Sequence, residues 1–159
     1  VNAKSTLGER VAGSALAVDR TCAELRRGLP VLVRPTNGGV LLVVAAELAS
    51  PAVLDALRQW SGTVPQALLT HHRAATLKIR LYTDDVVAVP LPRDDAARAA
   101  QVLADPTRDL RDPLMGPWQA VRDALPAGAG AAIKLAKVAG LLPAVVAVPL
   151  SAASAKRLA

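Results

Sequence analysis

Val31-Leu32-Val33-Arg34-Pro35-Thr36-Asn37-Gly38-Gly39-Val40-Leu41-Leu42-Val43-Val44-Ala45-Ala46-Glu47-Leu48-Ala49-Ser50-Pro51 decides the fold of this 159-residue chain. It reads as strand, turn, buried strand and helix start. Leu29–Val33 is a short apolar strand, Asn37-Gly38 a turn signal, and Val40–Ala46 an unbroken apolar run long enough for a strand buried on both faces. Ser50-Pro51 places a capping hydroxyl before a proline at the first helical position. The frame is that of an enzyme site, but its loop carries no carboxylate.

Upstream, Val18, Cys22 and Leu25 recur at helical spacing, Arg26 and Arg27 sit where cations favour a helix end, and Gly28 can close it. A helix from Ser14 to Arg27 is expected, after a loose lead-in over residues 1–13 that contains Gly8 and Gly13. Downstream, Val53, Leu54, Leu57 and Trp60 form the buried stripe of a helix ending at Gly62, and a strand follows over Gln66–Leu69. Thr70 can cap a basic helix from His71 to Lys78, with Ala75 and Leu77 facing inward and Arg73 and Lys78 facing solvent. Val86–Val89 is a further buried strand, and Asp94 or Asp95 opens a helix that Asp105-Pro106 stops. Residues 105–117 read as a long ordered loop, Trp118–Leu125 as a short helix, Gly130 or Ala131 to Val138 as an Ala-rich helix closed by Gly140, and Val145–Val148 as the last strand. This alternation predicts an α/β domain, an α+β sandwich in which a mixed sheet is flanked by helices. One domain over 14–159 is expected, with no internal repeat.

Composition narrows the function. The chain is 52% apolar, which excludes disorder, yet it has no Phe and only Tyr82, Trp60 and Trp118 as aromatics, so its core must be built from Ala, Leu and Val. The net charge of +6 is spread from Lys4 to Arg157 without interleaved aromatic residues, which argues against a nucleic-acid binder. Val138–Leu150, the longest apolar stretch, is interrupted by Pro143 and too short to span a membrane. Cys22 is the single cysteine, so no internal disulfide forms and a Cys-based zinc site lacks ligands; a reducing, cytoplasmic setting is expected. The chain opens on Val1 and stops in a polar, Ala-rich segment, as a piece of a longer protein would.

Several motifs resemble the 3,4-dihydroxy-2-butanone 4-phosphate synthase family, which makes the four-carbon unit of riboflavin. Leu25-Arg26-Arg27-Gly28-Leu29-Pro30-Val31 is similar to its Leu-Arg-x-Gly-x-Pro-Val segment, and Ala45-Ala46-Glu47-Leu48-Ala49-Ser50-Pro51 to its Ala-Ala-Glu-Leu-Ala-Thr-Pro. Ala127–Ala132 stands where the family has Gly-His-Thr-Glu-Ala-Ala, followed by Val138-Ala139-Gly140-Leu141 and Pro143-Ala144-Val145-Val146. The resemblance implies the synthase fold and a dimer.

It also implies a magnesium site, built in the family from an acidic loop and the later His, because hard cations need oxygen ligands and enolisation needs a positioned base. Here Thr36, Asn37, Gly38, Gly39 and Val40 replace the acidic loop, Leu41 its final Asp, Gly128 the His and Gly130 the Glu. No metal and no catalytic residue is therefore expected, and the synthase reaction should be absent. Glu47 survives, as a solvated or capping carboxylate.

Arg73–Lys78, Leu103–Pro106, Pro113–Pro117 and Ala136–Ala144 more closely resemble the degenerate synthase-like domain in front of GTP cyclohydrolase II in some alphaproteobacterial proteins. That resemblance implies a downstream cyclohydrolase domain in cis, whose zinc is the only cofactor expected, and an accessory, dimerising or regulatory role here.

The alternative is an independent module for a small phosphorylated ligand or nucleotide. His71 and His72 are adjacent, and neighbouring helical side chains diverge by about 100°, so they do not share one metal ion easily. With Arg73, Lys78 and Arg80 they could take a phosphate at a helix start, and the Asn37-Gly38-Gly39 amides could offer anion contacts. His71, His72, Arg73, Lys78 and Asn37 are thus the candidate ligand residues. Cys22 reads as a small core residue, and Trp60 and Trp118 as core or interface anchors, with Trp118 the better interface candidate.

Overall fold

A computed structural model describes residues 6–36, 38–113 and 115–158. Five strands form one sheet: β1 (Val31–Val33), β2 (Val40–Ala45), β3 (Gln66–Thr70), β4 (Val86–Pro90) and β5 (Ala144–Leu150), in the order β1-β2-β5-β3-β4. The α+β sandwich is as expected, but every pairing is antiparallel rather than mixed. The reason lies in one insertion. β2 and β3 run in the same direction, as a strand-helix-strand unit should, yet β5 enters between them and pairs with both, Val43 opposite Ala147 and Leu68 opposite Val145.

Six helices accompany the sheet among the described residues: α1 (Thr6–Arg26), α2 (Pro51–Ser61), α3 (His71–Thr76), α4 (Ala96–Ala104), α5 (Ala129–Val138) and α6 (Ala152–Arg157). Strand side chains alternate between two cores. Leu42, Val44, Leu69, Val87 and Val146 meet α2 and α4, whereas Leu41, Val43, Leu68, Ala88 and Val145 meet Cys22 and Leu25 of α1 and Ile133 of α5. Two-sided burial is why the strands read as continuous apolar runs. Pro149 fits inside β5 because it lies past the register shared with β3, where no ladder bond is lost on that side. None of the described helices is long and apolar enough to cross a membrane.

Local signals set most element ends. The Ser50 hydroxyl accepts from the Val53 N–H at 3.3 Å, and Gly62, at φ 69°, ends α2 with its N–H on the Arg58 carbonyl. Two expectations are corrected. The first helix starts at Thr6, so the described part of the supposed lead-in is helical; glycine weakens a helix by about 1 kcal/mol against alanine without forbidding it. Residues 118–125 are not a helix: the Val121 N–H donates to the Ala88 carbonyl at 2.8 Å, laying the segment along edge strand β4. That bond uses one carbonyl of an otherwise open sheet edge, a partner that local helix preference does not take into account.

Candidate functional site

The β1–β2 loop and the start of α5, distant in sequence, meet in space. Gly128 adopts φ 91°, and a Cβ there would lie 3.4 Å from the Pro35 side chain and 3.4 Å from Val33 Cγ1. A Cβ on Gly130 would have an Asp85 carboxylate oxygen 3.8 Å away, so the turn before β4 is the third wall. Thr36, Gly38 and Gly39 are exposed beside it, and Asn37 lies outside the described residues. Two glycines, a proline and a valine therefore occupy the junction, with Asp85 at its margin. A hard divalent cation needs several oxygen ligands, and this donor set does not fit one. Among the described residues, no three His, Cys, Asp or Glu side chains come together.

The basic group at α3 is split by the fold. Thr70 caps this helix, its hydroxyl accepting from the Arg73 N–H at 3.2 Å. His71 is partly buried; its N–H donates to the Asp85 carbonyl at 3.3 Å, and its Nε2 is shut from solvent without a hydrogen-bond partner. His72 and Lys78 are exposed.

Arg73 corrects the expected facing. It is 7% exposed and points inward, while Ala75 points out. Its Nε donates to the Leu103 carbonyl at 2.8 Å and one terminal nitrogen to the Val102 carbonyl at 2.9 Å; the fork also engages both Asp109 oxygens, at 2.6 and 2.7 Å. Val102 and Leu103 belong to the last turn of α4, where carbonyls lack helical partners and the dipole attracts a cation. The Arg73 hydrogen bond holds the Asp109 carboxyl below its ordinary range, against the opposing pull of desolvation. Arg73 is thus a helix cap and loop clamp, and is not free to hold a phosphate. Arg26 does the same for α5, its Nε donating to the Ala139 carbonyl at 2.7 Å.

Glu47 has a structural partner: its Oε1 accepts from the Leu142 N–H at 2.7 Å, joining the end of β2 to the entry of β5. Cys22 is buried in the α1 core. Trp60 is partly buried, with the Arg157 guanidinium 5.1 Å from its ring. Trp118 is partly buried and walls open space: a cleft of about 530 Å³ with Lys78, Asp109 and Asp112, and another of about 600 Å³ with Leu91 and Gln119.

No protein-family model matches the chain. It is 36% identical over 139 residues to a GTP cyclohydrolase-2 of Azospirillum brasilense, a match covering 84% of this chain and 34% of that protein. The chain thus spans about a third of the length of this curated relative. Among solved structures it is similar to the two-domain 3,4-dihydroxy-2-butanone 4-phosphate synthase of A. baumannii (TM-score 0.64, 17% identity, 84% of this chain and 47% of that one). The Candida albicans synthase is equally similar (TM-score 0.64, 20% identity, 84% and 79%). A synthase in complex with two magnesium ions superposes at TM-score 0.61, with 18% identity over 84% of this chain and 74% of that one. The chain is a domain of the 3,4-dihydroxy-2-butanone 4-phosphate synthase fold, related in sequence to one third of a GTP cyclohydrolase-2.

Proposed function

We propose that this domain is a catalytically silent member of the synthase fold, serving as an accessory, dimerising or regulatory module of a GTP cyclohydrolase II protein in riboflavin biosynthesis. The observation that carries the reading is the junction of the β1–β2 loop with Gly128, where Val33 and Pro35 lie against the Gly128 backbone, an Asp85 oxygen lies near Gly130, and among the described residues no three His, Cys, Asp or Glu side chains come together. A reaction that enolises a sugar phosphate on magnesium needs several carboxylates and a base held together there. The domain would require no metal of its own; zinc would belong to a cyclohydrolase domain in cis, a partner supported by the one-third coverage of the relative. A homodimer in the cytoplasm completes the proposal.

Incubation of the purified chain with ribulose 5-phosphate and magnesium tests it. The expected outcome is no formate above the protein-free control; sustained formate release would overturn the reading. Sedimentation of the same sample tests dimerisation separately, with a monomer at all concentrations counting against that part alone.

A further inference from the structure

Arg80 and Arg122 approach the same ring from different parts of the chain. Their guanidinium carbons lie 5.6 and 5.1 Å from the Tyr82 ring centre. Among the described residues, neither has a carboxylate within ion-pair distance. This is despite Asp84, Asp85 and Asp123 close by in sequence. Two guanidinium groups without a carboxylate partner therefore lie against one ring, and ring contacts at exposed sites stabilise them only weakly. Both, with Tyr82, line a recess of about 170 Å³ that is also walled by Trp118, Gln119 and Ala120. Trp118 and Gln119 in turn border the cleft of about 600 Å³, so the small recess opens beside a larger, partly apolar one.

We propose that this recess binds the phosphate of a monoester whose other end is a flat ring, a ligand of the nucleoside monophosphate class. Two guanidinium forks present paired N–H donors that match phosphate oxygens, and an anion in the recess they line supplies the counter-charge both lack. The Trp118 indole offers a face for the ring, and the Gln119 amide can both donate to and accept from its polar edge. Of the basic group around α3 only Arg80 lines this recess, and Arg73 is committed to α4 and Asp109. The recess shares no lining residue with the Gly128 junction, so it does not depend on the silent-site reading.

The chain has only two tryptophans, which makes binding readable. In a Trp60→Phe background, Trp118 fluorescence would be titrated with adenosine 5′-monophosphate, inorganic phosphate and adenosine. Saturable quenching by the monophosphate, weaker effects of phosphate and least of adenosine are expected. Arg80→Gln and Arg122→Gln should each weaken binding about tenfold, as loss of a charge-assisted hydrogen bond does, and leave the melting temperature nearly unchanged because both side chains are exposed. Arg73→Gln should lower the melting temperature without changing affinity at a temperature where the variant is folded. No saturable response up to about 1 mM monophosphate, a range that would still capture weak affinities, would overturn the proposal. So would equal affinity in the Arg80 and Arg122 variants, or adenosine binding as tightly as its phosphate.

Discussion

Arg73 makes four hydrogen bonds from one guanidinium, two to the end of α4 and two to Asp109. Arg73→Gln leaves those acceptors short of donors in a buried place and should destabilise the chain by about 3 kcal/mol, the low end for breaking a buried pair because Asp109 retains some water contact. Urea unfolding at neutral pH measures it. The pair also sets an acid sensitivity. Asp109 is depressed in the folded chain, so as pH falls the unfolded chain takes up the proton first. Stability from the ionised carboxylate is complete above the ordinary Asp pKa of about 4 and disappears as pH falls through the lower folded value. The stability gap between the parent chain and Asp109→Asn should therefore be larger at about pH 7 than at about pH 2.5; a gap independent of pH would contradict this. Gly128→Ala puts a side chain on a left-handed backbone at φ 91° and should cost more than about 1 kcal/mol in the same assay.

Glu47 acts between elements. Removing its carboxylate strands the Leu142 amide at the turn into β5, so Glu47→Ala should cost about 1–3 kcal/mol, while Glu47→Gln, which keeps an acceptor, should retain most of that stability. Denaturant midpoints for the two variants decide it. Elements whose signals are local were legible from residues alone: α2 carries its own cap, proline and terminal glycine, and β2 its own apolar run. Residues 118–125 were misread because the Val121 bond to Ala88 is supplied by a distant strand. The facing of α3 was misread for a similar reason. A six-residue helix has too few turns to reveal its buried side, and what turns Arg73 inward is the C-terminal end of α4. The emptied junction was legible only through family resemblance, since nothing in the residues alone brings Gly128 to Pro35; of the Arg80–Tyr82–Arg122 cluster only Arg80 stood out, as part of the basic group, because Arg122 reaches the ring from a distant part of the chain.

Across the whole molecule, neighbouring residues of one strand support different halves of the structure. Leu68 and Leu69 are both fully buried but belong to opposite cores. Because a single sheet carries both, Leu68→Ala and Leu69→Ala should each lower the same cooperative transition, by about 2–5 kcal/mol, with near-native secondary structure before it. Two separable transitions by calorimetry would show that the faces melt independently. The position of β5 also has a consequence for how the chain comes to be folded. While it is synthesised from its N-terminus, β1 with β2 and β3 with β4 can form before residues 144–150 exist, each pair leaving an open edge where β5 will later enter. Direct pairing of β2 with β3 would be a parallel ladder that must open again to admit the last strand. Closure over such long sequence separations is slow, and the waiting edges are exposed to other nascent chains. The interval between making β4 and making β5 is thus the period in which two strand edges of this fold wait without their partner.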